Sequence, residues 1–355
     1  MVDDRHDQFN RRTLFGLSGG ALMALLAACT DGDGVRITAT SGSSGRPTGD
    51  SPTTTASTAP GTATPPSSAH ATTTAPPTAE SATGTAGSLG RSGAVNALLI
   101  GSDSRTSSLR RGNSDVITVV QLTADRQRLN LVSVARDTVA TYATGGRGKI
   151  NAAYVRGGPE ALANAVSRVL GGLTITYVVQ TGFDRFIRIS ELLGGFTVQN
   201  RVTSNSSGPQ FPSGPLTLKG QLALTYVRER KGLPNGDLDR TERHRAALTG
   251  MLLKLQQLLR KDEQRVMQLI PQLLGQVVSD KFSAADAQAL MPVVRRITRA
   301  EITSVMVPIA RFGMVGGSSV DIINEARNAE LIKALAVGDL SAYVARYGTS
   351  NAPTG

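Results

Sequence analysis

The chain of 355 residues has a single cysteine, Cys29, which excludes an intrachain disulfide and a thiolate zinc cluster. Its three histidines, His6, His70 and His244, lie far apart in sequence, so a His-based metal site is not expected. Any metal bound here is therefore a hard cation on carboxylates. Tryptophan is absent and aromatics make up only 4% of the chain, which leaves little for stacking on nucleobases. The glycines at Gly145, Gly146 and Gly148 spell neither a dinucleotide fingerprint nor a phosphate loop. A GxSxG string occurs at Gly16 to Gly20, inside an amino-terminal apolar segment and away from any strand-to-helix turn. Acidic residues are in the minority, 27 against 38 Lys and Arg, and the net charge of +11 calls for an anionic partner.

Arg11 and Arg12 precede an apolar run from Leu14 to Ala28 that is too short to span a bilayer and has the form of a secretory signal. The string NRRTLFGL resembles a twin-arginine export signal, and Leu26-Ala27-Ala28-Cys29 resembles a bacterial lipobox, which makes residues 1–28 a signal peptide and Cys29 the lipidation site. That segment carries three basic and three acidic residues, so its removal leaves the charge of +11 in place. An exported chain has no access to nucleic acid, and a nucleic-acid partner is not expected. Between Thr38 and Gly93, 50 of 56 residues are Ser, Thr, Ala, Gly or Pro, which cannot bury enough apolar surface to offset the entropy of ordering. Residues 29–93 are read as a disordered tether whose ordinary span is on the order of 40 Å. The expected location is the outer face of the cell membrane, lipid-anchored and facing the wall, with one folded domain over residues 94–350.

Within that domain Val95 to Ile100, Val116 to Leu122 and Leu129 to Val134 read as three consecutive strands joined by short polar links. In an antiparallel meander, the end of the first, the start of the second and the end of the third share one edge. Those places hold Asp103, Asp115 and Arg136-Asp137. Helical spacing follows at Leu162 to Leu170, after Asp184, and from Thr241 to Arg260, with further helices near 262–279, 284–298 and 325–336 and strands at Ile175 to Val179, Phe196 to Val198 and Ile302 to Val307. The fold class is α/β, a sheet covered by helices on both faces.

The loops of this domain are rich in arginine, which favours bidentate contact with phosphate oxygens. Two aspartates meeting among them, with diphosphate oxygens and water, make a sufficient ligand set for Mg²⁺. Arg228 and Arg230 share a face only where the chain is extended, so the preceding helix is expected to end there. Asp237, Arg240 and His244 stand three and four apart, on one side of a helix. Together these residues suit a pyrophosphate with one divalent cation, whose reaction needs positioning and charge stabilisation more than covalent help.

The segments NALLIGSDSR (96–105), Ser114-Asp115, SVARD (133–137), KINAAY (149–154) with Gly157-Gly158, LTLKGQLALTYVRER (216–230) and Gly236-Asp237 with Arg240 and Arg243 are similar, in order, to the motifs of the LytR-CpsA-Psr family. The resemblance implies a central mixed sheet sandwiched between helices, with an apolar tunnel for a polyprenyl chain. It also implies a phosphotransferase that moves a glycopolymer from a polyprenyl-pyrophosphate carrier to peptidoglycan through a phosphodiester bond. It assigns Asp103 and Asp115 to Mg²⁺, with Mn²⁺ as an alternative, and Arg136, Lys149, Arg228, Arg230 and Arg240 to the pyrophosphate; Arg105, among the basic loop residues, and His244, beside Arg240 on the helix, are added to that set from their own positions. Arg136, Arg230, Asp237 and Arg240 form the expected catalytic group. The chain departs from the family pattern at Asn113, Ala135 and His244, where an arginine, a proline and a glutamine are usual. Two other readings stay open: a binder of polyprenyl phosphates without turnover, and a pyrophosphatase that uses water as acceptor.

Overall fold

The computed structural model describes residues 93–104, 109, 112–204, 208–279, 281–349 and 353. The signal peptide, the tether apart from Gly93, Cys29 and Arg105 fall outside the described residues.

Strands β1 (Val95–Ser102), β2 (Ser114–Leu122) and β3 (Leu129–Ser133) form the antiparallel meander expected from the sequence, with Val120 opposite both Ala97 and Leu131. The hairpin β4 (Val139–Thr141) and β5 (Arg147–Lys149) follows, then helix α1 (Asn151–Val169), which is broken at Gly157 and Gly158 just before Pro159. Strand β6 (Tyr177–Thr181) lies parallel beside β1. Helix α2 (Phe183–Leu192) leads to the hairpin β7 (Phe196–Asn200) and β8 (Gly214–Leu218), and α3 (Gly220–Arg228) ends before an extended Glu229. Helices α4 (Asp237–Lys261) and α5 (Glu263–Leu274) precede the two-residue β9 (Val278–Ser279), α6 (Ala284–Ala289) and α7 (Met291–Arg296). Strand β10 (Ile302–Met306) runs parallel to β3, the hairpin β11 (Ile309–Val315) and β12 (Ser318–Ile323) follows, and α8 (Glu325–Val337) and α9 (Ser341–Tyr347) end the fold.

The central sheet has the order β10-β3-β2-β1-β6-β9 and is mixed, as expected. Alternation along its strands sends Ala97, Leu99, Val120 and Leu131 into one core with α2 to α5 and α7. It sends Leu98, Ile100, Val119 and Val132 into a second core with α1, α8 and α9. Both faces are therefore covered, which is why β1 and β2 read as nearly continuous apolar runs. The stretch 284–298, expected as one helix, is two short helices that meet at Leu290-Met291.

Helix α4 organises the first core. Asp237 and Asp239 in its first turn and Arg260 and Lys261 in its last match the helix dipole. Gly236, at φ +52, lets the chain turn sharply into it. Midway, Gly250 sits so close to β7 that a Cβ there would lie 2.4 Å from the Thr197 carbonyl oxygen. Because that oxygen belongs to backbone, it cannot swing aside. Gly250→Ala is expected to destabilise the fold by about 2 kcal/mol, read as a lowered urea midpoint; an unchanged midpoint would mean that the helix can shift freely on the strand.

Candidate active site

The strand register places the end of β1 beside the start of β2, Ser102 opposite Ser114, and Thr118 opposite Ser133 at the end of β3. Asp103, Asp115 and Arg136 thus leave one edge of the sheet together. Asp103 accepts from the Asn113 backbone N–H at 2.5 Å and from Asn113 Nδ2 at 3.2 Å, so Asn113 holds both carboxylate oxygens. Asp115 accepts from Arg136 Nη1 at 2.7 Å and faces Arg240 Nη1 at 3.7 Å.

Across from this edge, the first turn of α4 supplies Asp237 and Arg240. Asp237 Oδ1 lies 2.5 Å from Arg240 Nη2 and 3.5 Å from Arg136 Nε, which makes it the bridge between two guanidiniums. Burial pushes the Asp237 carboxyl above its ordinary range, against the pull of Arg240 and Arg136. Burial also favours the neutral form of Arg136, but the Asp115 hydrogen bond and the charges of Asp237, Asp115 and Asp137 outweigh it and raise its pKa. Arg240 is shifted down by burial and remains a cation, as guanidiniums do. Arg240 Nε is buried with no partner, and Arg136 Nε and Arg240 Nη2 meet only Asp237, as ion pairs without hydrogen-bond geometry. Such donors are rare in folded proteins and mark a place where an acceptor belongs.

Two hollows meet at this cluster. One is an open bowl of about 520 Å³ lined by Arg136, Arg228, Glu229, Arg230, Lys231 and Arg240. Its single carboxylate is already paired, 2.8 Å from Arg243. Arg228, Arg230 and Lys231 have no carboxylate at ion-pair distance among the described residues, and Arg228 rests 4.4 Å over the Phe183 ring. The other is a cavity of about 190 Å³ running between the sheet and α2, α3 and α4, past Leu99, Val179, Phe186, Leu224, Ala247 and Met251. Arg228 and Arg240 border both. A mostly apolar slot thus opens beside a cationic bowl.

The structure brings Arg136, Arg228, Arg230, Asp237 and Arg240 together, with Asp103 and Asp115 at the same edge. Lys149 stands slightly apart, its Nζ 2.9 Å from Asp137 Oδ1. His244 sits differently from a phosphate ligand: it is buried, Nε2 donates to the Val227 carbonyl at 2.9 Å, and the ring lines the apolar cavity. Burial, with Arg240 adding to it, lowers its pKa to about 3. A neutral ring supplies no positive charge, and its place is the neck between bowl and slot. Arg243 is a positioning residue: besides Glu229 it reaches the Val202 carbonyl and lies over the Tyr226 ring, tying α4 to the exit of α3 that carries Arg228 and Arg230.

Sequence reasoning missed Lys231 and Asp321. Lys231 follows the motif directly and could have been found by extending the basic run. Asp321 comes from β12, whose Asp321 N–H donates to the Asp137 carbonyl at 2.9 Å, placing a carboxyl that is only 6% exposed beside the cluster. Burial first, then Asp137 and Asp237, raise its pKa to about 6.

The fold is an α/β sandwich in which a cationic bowl opens onto an apolar slot. The chain belongs to the LytR_cpsA_psr family, whose sequence profile matches residues 63–336. It is 32% identical over 205 residues to the cell wall biosynthesis protein LcpA of Corynebacterium glutamicum, a match covering 45% of this chain and 39% of LcpA. It is 32% identical over 165 residues to the polyisoprenyl-teichoic acid–peptidoglycan teichoic acid transferase TagU of Bacillus anthracis, covering 46% of this chain and 54% of TagU. The chain thus spans about half or less of the length of these relatives. Among solved structures, B. subtilis TagV superposes with a TM-score of 0.59 at 22% identity, over 70% of this chain and 99% of TagV. TagT bound to LI-WTA superposes with a TM-score of 0.55 at 23% identity, over 68% of this chain and 89% of TagT. These likenesses establish the fold, a mixed central sheet between helices.

Proposed function

We propose that the protein is a phosphotransferase that takes a glycopolymer from a polyprenyl-pyrophosphate carrier and joins it to peptidoglycan through a phosphodiester bond. The observation that carries this reading is the junction of the apolar slot with the cationic bowl at Arg228 and Arg240. An amphiphile with a doubly charged head fits that junction, and the transferase TagU, named for a polyisoprenyl-linked donor and a peptidoglycan acceptor, supports the same chemistry. The slot takes the isoprene units nearest the head, in place of the expected tunnel.

In the reaction the acceptor hydroxyl oxygen bonds to the sugar-linked phosphorus while that phosphorus loses its bond to the bridging oxygen; the bridging oxygen departs with the polyprenyl monophosphate, and the hydroxyl proton passes to solvent. Arg136, Arg230 and Arg240 stabilise the charge that grows on the leaving phosphate, and Asp237 holds Arg136 and Arg240 in place. Asp103 and Asp115 suit a hard cation in donor type. No cluster of three or more metal-ligating side chains occurs among the described residues, so diphosphate oxygens and water would complete the shell. Mg²⁺, when bound, neutralises the diphosphate. Export through residues 1–28 and lipidation at Cys29 would set the domain on the outer face of the membrane, within reach of both substrates. No described helix is long and apolar enough to cross a membrane.

The test is to incubate the full chain, in detergent, with a labelled polyprenyl-pyrophosphate sugar and peptidoglycan fragments. Label is expected on the acceptor, dependent on Mg²⁺ and lost with EDTA or in Asp103→Ala. Binding without product would make the protein a carrier-lipid binder, and label released without acceptor would make it a pyrophosphatase.

A further inference from the structure

Helix α4 has two working faces. Arg240, His244, Ala247 and Met251 lie on the side that meets the slot and the bowl. Glu242, Arg245, Thr249 and Leu253 lie on the opposite side, since at about 100° per residue the two sets point roughly half a turn apart. That second side forms one wall of a groove of about 570 Å³, the other walls being β7 and the edge strand β10.

Charge in this groove is one-sided. Arg201, Arg245, Lys254 and Arg299 line it against Glu242 alone, and Glu242 is taken by Arg201 at 3.1 Å. Arg245, Lys254 and Arg299 have no carboxylate at ion-pair distance among the described residues. Arg245 is the telling member, being only 2% exposed. Its Nε donates to Ser304 Oγ at 2.9 Å, while Nη1 and Nη2 reach the Thr241 and Thr349 carbonyls only at 3.5 Å. Burial lowers its pKa to about 10. The charge of Glu242 offsets this only in part, since it is not in contact with Arg245; a buried guanidinium with no carboxylate against it is costly, and an anion in the groove would relieve that cost. The rest of the lining mixes hydroxyl and amide groups, from Thr197, Thr217, Thr303 and Gln257, with the aliphatic side chains of Val198, Leu253 and Ile302 and with Phe196 as its one aromatic. Hydroxyls and amides interleaved with short apolar side chains, under four cations, suit a polyhydroxylated anion, which presents C–H and O–H groups in alternation, better than an acyl chain or a nucleobase.

We propose that this groove is a second ligand site, for an anionic polyol: a sugar or alditol chain carrying phosphate or carboxylate groups, whose anion docks against Arg245. The inference stands on the groove alone and does not rest on the transfer reaction.

The experiment measures binding of a fluorescent glycerol-phosphate oligomer, an oligogalacturonate and maltotriose to the full chain in detergent. One or both anionic chains are expected to bind, more weakly as salt rises, and the neutral one not; which anion binds tells phosphate from carboxylate as the source. Lys254→Glu and Arg299→Glu should each weaken binding about fivefold. Arg245→Gln should abolish it, and where that variant fails to fold the two surface variants decide. Arg136→Gln, in the other site, should leave it unchanged. Equal binding of maltotriose, indifference to Lys254→Glu and Arg299→Glu, or loss in Arg136→Gln would each overturn the proposal, the last by placing the anion in the front bowl.

Discussion

Arg240→Ala is expected to lower glycopolymer transfer about a thousandfold and to destabilise the fold by about 3 kcal/mol. Two effects combine because the residue sits where two structures meet. As a phosphate donor it borders both the bowl and the slot. As a counter-charge it is the near partner of Asp237, at 2.5 Å, and a second one for Asp115, at 3.7 Å, with its side chain only 8% exposed. Removing it strands a buried carboxylate whose remaining partner, Arg136, is 3.5 Å away. Arg230→Ala separates the two effects, because Arg230 is exposed and has no such partner. It should lose transfer to a similar degree at unchanged stability. Parallel measurement of turnover and urea midpoints checks both; a stable Arg240→Ala would show that Asp237 is held by something other than the guanidinium pair.

The second large effect concerns acid. His244, with its pKa near 3, is neutral in the fold but takes up a proton on unfolding below its ordinary value of 6.5. Its folded pKa is depressed, so its contribution to stability is complete above 6.5 and is lost as pH falls towards 3. Asp321 works the other way: with a folded pKa near 6 against an ordinary 3.8, it keeps its proton in the fold, and stability is lost as pH rises from 3.8 to 6. Between pH 6 and 4 the two slopes, about 1.4 kcal/mol per pH unit each, have opposite signs and cancel. Removing either exposes the other. Asp321→Asn should lose about 2 to 3 kcal/mol relative to the parent on acidification from pH 6 to 4, and His244→Gln should gain about as much. Urea unfolding at three pH values reads the difference, and parallel curves for all three proteins would refute the assignment of both groups.

The frame of the site was legible in the sequence because it is made by short-range pattern. The meander could be read from apolar runs and tight links, and from it the common edge of Asp103, Asp115 and Arg136. The spacing of Asp237 and Arg240, and the helix end between Arg228 and Arg230, also followed from local periodicity. What stayed hidden depends on tertiary contact. Nothing near His244 announced that it would be enclosed and neutral, since its burial comes from packing against α3. Asp321 was out of sight because β11 and β12 form a two-stranded ribbon in which Phe312 and Met314 are exposed, which blurs the alternation that marks a strand. Only the Gly316-Gly317 turn, with φ of +55 and +77, carried a local signal for that hairpin. The groove behind α4 had no sequence signature, because its cations come from the residue after β7, from α4 and from the segment before β10.

The close seating of Gly250 on the Thr197 carbonyl has a mechanical side. An α-helix is stiff along its axis, and Gly250 lies ten residues, roughly 15 Å, down the rod from Arg240. Whatever fixes the rod at that point fixes the height at which Asp237 and Arg240 meet Asp115 and Arg136. A side chain that lifted the helix off β7 would tilt its far end, pulling the guanidinium of Arg240 away from its carboxylates without altering any residue that touches substrate. Alignment of the reacting groups is in this sense set at a distance, by the absence of a single methyl group.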